Sequence, residues 1–307
     1  MFGFLNCHKP IGFSSRDVVN VIQGQLRGQR VKIGHCGTLD PLADGVLLVG
    51  VGPAAKLVPY VHEADKCYRG NFRLAAESPT GDMEFEPTVY SDHPIPTTEQ
   101  LAAACQTLIG SIEQVPPAYS AIKVDGKRAY RMARQGQTVE MPARQVQIDS
   151  IKVLEYQYPD LSLEIVCGTG TYIRTLGMDL AQAVGTVAVM TALTRTRVGE
   201  FELADSITID QIRENEIESM LMPAALGVSH MTSLSVDAEE CVRLTNGLGL
   251  SPSRQPTPGP DPQPLEIAAL TPQGNLKAIL VQKNGCWYPK RVFPDAGGNP
   301  ASSINQT

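Results

Sequence analysis

Residues 34–52, GHCGTLDPLADGVLLVGVG, place the strongest constraint on how this chain folds. The last eight of them, residues 45–52, carry no polar side chain. A continuous apolar run of this length, bounded by turn residues, is typical of a buried strand. Pro53 fits the first turn of a following helix, which we expect to continue through Val61. The segment therefore predicts a glycine-rich turn that leads directly into a core strand.

Several kinds of site are conceivable at this turn. It lacks the Gly-Lys-Ser/Thr ending of a phosphate-binding loop, and Gly168-Thr169-Gly170 lacks the third glycine of a dinucleotide-binding turn. Asp40 stands before a proline, where an aspartate commonly serves as a turn residue, and Asp44 we interpret in the same way. His35 and Asp40 are candidate metal ligands, but no second cluster has ligand spacing, so we expect no metal.

Helical and strand patterns follow one another along the rest of the chain without a regular βαβ order. We predict further strands at residues 67–74 and 161–167. Predicted helices begin at Ser14 or Ser15, after Thr97 with capping-box spacing, and near Tyr172, which opens a helix to Val184. This irregular alternation favours an α+β fold over a doubly wound parallel sheet.

The character of the chain changes near residue 230. Residues 251–264 contain six prolines in fourteen positions, which excludes a regular element and predicts an extended loop. Three short strands are predicted beyond it, at residues 265–271, 276–283 and 286–293. Asn284-Gly285 between the last two is a strong hairpin signal. The pattern indicates a small β-rich appendage, followed by a flexible tail.

Charge is segregated along the chain, although the net charge is −6. Residues 9–32 hold five basic side chains and one acid, residues 123–144 six and two, and residues 276–291 four and none. If these stretches converge on one face, they form an electrostatic footprint for a polyanion; otherwise they are ordinary solvated surface.

Composition also bears on the compartment. No apolar run reaches the ~18 residues that a membrane span needs, and the N-terminus lacks the pattern of a signal peptide. Seven cysteines without a CxxC pair favour a reduced, cytoplasmic protein without structural zinc.

Six blocks stand in order between residues 4 and 201: HKPIGFSS from His8, GHCGTLDPLADGVL from Gly34, KCYR from Lys66, VPPAYSAIKVDGKRAYRMAR from Val115, GTGTYIRTLGMDL from Gly168 and LTRTRVGEF from Leu193. Together they resemble the bacterial tRNA pseudouridine-55 synthases of the TruB type. The last sixty residues are similar to the small PUA-like RNA-binding domain of that family. Ser78-Pro79-Thr80-Gly81-Asp82 departs from the more acidic Thr-Asp-Thr pattern of the family.

The resemblance implies a pseudouridine synthase fold, α+β with a mixed, largely antiparallel sheet, in residues 1–230. A PUA-like domain is then expected at residues 231–294, with a proline-rich insert at 251–264 and a flexible tail at 295–307. The implied activity is isomerisation of uridine 55 in the T-loop of tRNA, by a monomer that needs no cofactor, metal or obligate protein partner.

The resemblance also assigns site residues. Asp40 matches the catalytic aspartate, Tyr68 the residue that stacks on the target base and helps remove the C5 proton, and Arg174 the partner of Asp40. His35, Tyr172 and Leu193 match substrate-contacting positions, and the glycines of the turn are expected to let a flipped nucleoside approach the backbone.

The residue types fit this chemistry, because glycosidic isomerisation needs a nucleophile or charge stabiliser and a proton acceptor, without a redox centre. Two other functions are open: a tRNA-binding or tRNA-folding protein that has lost its chemistry, and a metal-dependent hydrolase. Retention of Asp40, Tyr68 and Arg174 together favours the enzyme. We expect the side chains of Asp40 and Arg174 to lie within salt-bridge distance.

Overall fold

A computed structural model of the chain describes residues 1–117, 119–120, 122–124, 126–137, 141–251, 253–257 and 264–294. The predicted tail at 295–307 and most of the second half of the proline-rich insert lie outside the described residues. The described strands are β1 (Gly3–Lys9), β2 (Ile33–His35), β3 (Ala43–Val51), β4 (Lys66–Leu74), β5 (Ala76–Glu77), β6 (Thr88–Val89), β7 (Gly110–Gln114), β8 (Lys123–Val124), β9 (Lys127–Arg128), β10 (Arg144–Gln157), β11 (Asp160–Cys167), β12 (Ala188–Val198), β13 (Phe201–Glu202), β14 (Ser233–Ser235), β15 (Glu266–Leu270), β16 (Leu276–Lys283) and β17 (Cys286–Val292). The described α-helices are α1 (Ser15–Gln25), α2 (Val58–Glu63), α3 (Thr98–Thr107), α4 (Ala129–Arg134), α5 (Ile173–Ala183), α6 (Ile209–Glu214) and α7 (Ala238–Thr245).

A nine-stranded mixed sheet forms the centre of the molecule. Its main path runs β1-β3-β12-β4-β11-β10-β7, with β2 paired to β3 and β13 paired to β12. The pairing of β3 with β12 is parallel, and the other pairs of this sheet are antiparallel. The expected mixed, largely antiparallel α+β architecture is confirmed.

The helices that flank the site begin where the sequence predicts. Ser14 caps α1 through a capping box with Asp17, and Thr97 caps α3 in the same way. Helix α5 packs so closely on the sheet that a Cβ built at Gly177 would lie 2.0 Å from a ring carbon of Phe72 in β4. This contact fixes the start of α5 relative to β4.

Several local predictions need correction. The helix after Pro53 begins as a 3-10 turn over Gly52–Leu57 and becomes α-helical only at Val58. Asp44 is not a turn residue, because it lies in β3 opposite Thr194. At Gly45 the neighbouring atoms belong to the protein itself: a Cβ there would lie 2.2 Å from the carbonyl oxygen of Arg195. The glycine at this position admits the backbone of β12 rather than a nucleoside.

The C-terminal strands form a second sheet in the order β14-β15-β16-β17. The predicted hairpin is present, with positive φ angles of 50° at Asn284 and 77° at Gly285. One apolar cluster is shared by both sheets, since it contains Phe4 of β1 together with Ile279 of β16. Tyr60 of α2 adds a polar link, donating a 2.6 Å hydrogen bond to Oε2 of Glu266. The two parts of the chain are therefore joined through a common core.

Within the part of the chain that the structure describes, no helix is long and apolar enough to cross a membrane. All seven cysteines lie in that part, and all are free thiols.

Candidate active site

Asp40 lies in the loop between β2 and β3, and neighbouring elements hold the backbone of that loop. The hydroxyl of Ser15, the first residue of α1, accepts a 2.9 Å hydrogen bond from the N–H of Leu39. The N–H of Gly12 donates to the carbonyl of Pro41 at 2.8 Å. The N–H of Ala43 donates to the carbonyl of Asp40 at 3.0 Å, which closes a turn at the start of β3. The position of Asp40 is thus set from both flanks.

Arg174, in the first turn of α5, meets Asp40 across 134 residues of sequence. Its Nη2 donates to Oδ2 of Asp40 at 3.2 Å and to the carbonyl of Tyr119 at 3.0 Å. The Arg174 side chain is 5% exposed, whereas that of Asp40 is 50% exposed. The predicted ion pair is therefore confirmed. A buried cation holds a carboxylate whose other face is open to an incoming molecule.

The sequence did not identify Asp82 as the second carboxylate of the site. Nη1 of Arg174 donates at 2.8 Å to Oδ2 of Asp82 and at 2.8 Å to the carbonyl of Thr80. The other oxygen of Asp82 accepts from the Thr80 hydroxyl at 2.7 Å and from the N–H of Glu84 at 3.1 Å. The sequence feature that could have pointed to Asp82 was the departure from the family pattern at residues 78–82, because the divergent segment still contains an acid.

These charges set the electrostatics of Asp40. Surrounding protein raises the pKa of the Asp40 carboxyl above its ordinary value, even though half of the side chain remains accessible. Arg174 acts in the opposite direction and lowers this pKa, whereas the negative charge of Asp82 raises it. Arg174 is therefore the main group that favours the ionised form of Asp40.

Tyr68 and Leu193 lie on the central strands beside this loop. Leu193 of β12 pairs with Ala43 of β3 on one side and with Gly70 of β4 on the other. Tyr68 of β4 pairs with Arg195, and both Tyr68 and Leu193 are partly buried against the core. Burial raises the pKa of Tyr68, and the nearby Arg195 guanidinium opposes that shift. The Asp40 charge also raises the pKa of Tyr68.

Tyr172 directly precedes α5 and is two residues from Arg174. The guanidinium carbon of Arg144 lies 4.8 Å from the centroid of the Tyr172 ring. The backbone N–H and carbonyl of Tyr172 are both hydrogen-bonded by the side chain of Gln114, at 2.8 and 3.1 Å. Tyr172 is consequently held by both its ring and its backbone.

His35 occupies a different place. It pairs with Val49 near the far end of β3, whereas Asp40 adjoins the beginning of that strand at Ala43. Desolvation lowers the pKa of His35, and the cations Arg195 and Arg16 lower it further. His35 thus pairs farther along β3 than the residue that adjoins Asp40, and the cations that act on its pKa are Arg195 and Arg16.

Two buried cations near the site were also missed from the sequence. Lys9 is fully buried and donates to the carbonyls of Pro10 and Phe13, and burial lowers its pKa to about 8. Arg195 is buried and its Nε donates to the carbonyl of Val46 at 2.8 Å. The signal for both was a basic residue within a strand pattern. Among the described residues, no three His, Cys, Asp or Glu side chains group as a metal site would require.

A mixed sheet that carries this aspartate–arginine pair defines the class of the pseudouridine synthases. The structure is similar to one titled "Crystal Structure of a Cbf5-Nop10-Gar1 Complex", with a TM-score of 0.70, 26% identity, and coverage of 91% of this chain and 78% of that chain. It also shares its fold with a chain of an H/ACA RNP bound to a substrate RNA containing 2′-deoxyuridine, with a TM-score of 0.71, 24% identity, and coverage of 95% and 85%.

The sequence comparisons identify the family. Residues 25–173 match the model "TruB family pseudouridylate synthase (N terminal domain)", and residues 174–227 match "tRNA pseudouridylate synthase B C-terminal domain". The tRNA pseudouridine synthase B of Rhodopirellula baltica is 38% identical over 95% of this chain and 94% of its own length. That of Moorella thermoacetica is 37% identical over 97% and 96%. The chain belongs to the TruB family.

Proposed function

We propose that this chain is a tRNA pseudouridine synthase that isomerises uridine 55 in the T-loop of tRNA. The observation that carries the proposal is the half-exposed Asp40 carboxylate held by buried Arg174. A protein that only binds RNA has no need of an accessible carboxylate, which repels phosphate, beside a buried counter-charge. The match of the whole chain to family members named tRNA pseudouridine synthase B supports the same function.

The reaction rearranges bonds within one nucleotide. The C1′–N1 bond breaks, the base rotates, a C1′–C5 bond forms, and the proton on C5 leaves as N1 gains one. Asp40 supplies the carboxylate that attacks the nucleoside, at the sugar or at the base, and the carbon–oxygen bond so formed breaks again to release the product and the free carboxylate. Arg174 keeps this carboxylate ionised and directs one of its oxygens away from the substrate.

Tyr68 stacks on the target base in this proposal and assists removal of the C5 proton. Burial raises the pKa of Tyr68 and the neighbouring Arg195 cation opposes that rise, so Arg195 favours any part that the Tyr68 oxygen plays as a proton acceptor. Leu193 and Tyr172 form walls of the pocket that receives the flipped base. His35, grouped with Arg16 and Arg195, contacts the RNA beyond the reacting nucleotide.

The remaining assignments concern binding partners and the location in the cell. We propose that residues 231–294 form a PUA-like module that adds RNA contacts, and that basic side chains hold the phosphates. The net charge of −6 opposes self-association and supports a monomer without an obligate protein partner. A tRNA substrate places the protein in the cytoplasm.

The function is tested by incubating the protein with an unmodified tRNA transcript and mapping pseudouridine through carbodiimide-dependent stops of reverse transcription. A stop at uridine 55 is expected, and its absence would refute the proposed activity. Asp40→Asn should abolish product formation while retaining tRNA binding, because only the carboxylate chemistry is removed. Asp44→Asn, in the same segment, is the matched control and should remain active. Full turnover by the Asp40 variant would reject its assignment.

A further inference from the structure

Gln114 makes contacts that neither the motif comparison nor the proposed chemistry assigns. It ends β7 and is 1% exposed. Its Oε1 accepts from the N–H of Tyr172 at 2.8 Å, and its Nε2 donates to the carbonyl of Tyr172 at 3.1 Å. The amide therefore pairs with Tyr172 as a neighbouring strand would, although 58 residues separate the two in sequence. These bonds satisfy two backbone groups at the entrance to α5.

Arg144 holds the same tyrosine from a second direction. It is the direct cross-strand partner of Gln114 in the pairing of β7 with β10. Its guanidinium lies 4.8 Å from the Tyr172 ring centroid, within the range of a cation–π contact. It also donates to the carbonyl of Gly170, two residues before Tyr172. Two paired residues on one edge of the sheet thus hold the backbone and the ring of Tyr172.

Tyr119, which follows Gln114 in the chain, makes a second contact with the site, at Arg174. The carbonyl of Tyr119 accepts from Nη2 of Arg174 at 3.0 Å, the same nitrogen that donates to Asp40. Gln114 and Tyr119 therefore each contact the beginning of α5. Gln114 itself has no hydrogen bond to Asp40, so its effect on that residue passes through Tyr172 and α5.

We propose that Gln114 and Arg144 are positioning residues that set Tyr172 and, through the first turn of α5, the guanidinium of Arg174. The proposal rests on the proposed synthase function. Loss of the Gln114 amide leaves the N–H of Tyr172 without its partner, and the Tyr172 carbonyl keeps only the 3.0 Å hydrogen bond from the N–H of Leu176. The entrance to α5 then shifts to recover the lost hydrogen bond. A displacement of about 1 Å at a catalytic group can cost about 100-fold in rate, so the expected effect falls on turnover.

The first experiment replaces Gln114 with leucine, which has a similar size and no hydrogen bonds. We expect kcat for pseudouridine formation to fall about 10- to 100-fold, with an unchanged Kd for tRNA. Gln145→Leu is the matched control, because Gln145 is an exposed glutamine of β10 whose side chain accepts a hydrogen bond from the hydroxyl of Ser111. An unchanged kcat in the folded Gln114→Leu variant would overturn the proposal.

A double-mutant cycle separates positioning from general destabilisation. If Gln114 acts partly through the Tyr172 ring, the losses in kcat caused by Gln114→Leu and Tyr172→Ala should be less than additive when the two changes are combined. Fully additive losses in kcat would overturn the proposal. The combination of Gln145→Leu with Tyr172→Ala is the control and gives the additive reference. Inactive wild-type protein would instead reject the proposed function.

If Gln114→Leu fails to fold, Arg144→Lys tests the same proposal. It retains the positive charge and removes the planar guanidinium over the ring. We expect a lower kcat with unchanged tRNA affinity, and the same non-additivity with Tyr172→Ala. A wild-type kcat for Arg144→Lys would contradict the assignment of this pair.

Discussion

Replacing Arg174 by methionine tests the electrostatic design of the site. The change removes four hydrogen bonds: those to Asp40 and Asp82 at 3.2 and 2.8 Å, and those to the carbonyls of Thr80 and Tyr119 at 2.8 and 3.0 Å. The Asp82 side chain is 7% exposed, so its carboxylate becomes a buried charge without its counter-charge, although it keeps the hydrogen bonds from Thr80 and Glu84. Removing one member of a buried pair costs about 3–5 kcal/mol in the free energy of unfolding. The Asp40 pair adds little, because solvent reaches half of that side chain.

The loss of stability in the Arg174→Met variant should depend on pH. Desolvation already raises the pKa of Asp40, and Arg174 is the largest influence that lowers it, so this pKa rises further in the variant. A carboxyl whose pKa is raised on folding contributes stability that is complete below its unfolded pKa and is lost as pH increases. The stability difference from wild type should therefore be smaller near pH 4 than at pH 7.

The assay is urea unfolding followed by far-UV circular dichroism between pH 4 and pH 7. Arg213→Met is the control, since its ion pair with Asp210 joins side chains that are 54% and 79% exposed. That variant should lose no more than about 1 kcal/mol. A loss below about 1 kcal/mol for Arg174→Met at pH 7, or a loss that does not change with pH, would refute the reasoning.

Two further predictions concern the neighbours of these groups. Asp82→Asn removes a negative charge that raises the pKa of Asp40, so the acidic limb of the pH profile of kcat/KM should move to lower pH; a shift to higher pH would contradict this arrangement. Tyr60→Phe removes the hydrogen bond to Glu266 and should lower the free energy of unfolding by about 1.5–3 kcal/mol, measured through the fluorescence of Trp287, the single tryptophan; unchanged stability would show that this link is dispensable.

Local patterns in the sequence predicted the elements whose physics is local. The apolar run at residues 45–52 became β3, the capping boxes at Ser14 and Thr97 began helices, and Asn284-Gly285 formed its hairpin. The long strand β10 was not predicted. Its burial follows no sustained alternation, and its pairing with β11 contains two register shifts, which interrupt a period of two.

The residues of the candidate site likewise divide into those that the sequence identified and those that it missed. Motif blocks identified Asp40, Tyr68 and Arg174, and the pairing of Asp40 with Arg174 was expected from the family resemblance. Asp82 was missed because its importance depends on a contact with Arg174 across 92 residues of sequence. Gln114 was missed for a similar reason, since a glutamine at the end of a strand has no local feature that distinguishes it from solvated surface.

The sequence by itself determined where several helices and strands begin and that the run at residues 45–52 is a buried strand, because capping, turn geometry and hydrophobic periodicity act over a few residues. Only the tertiary structure decided which charges meet. Arg174 binds two carboxylates and two carbonyls from three separate segments, and its burial makes each of these contacts energetically important. Electrostatic interactions depend on distance and desolvation in space, and neither quantity is encoded in residue spacing along the chain.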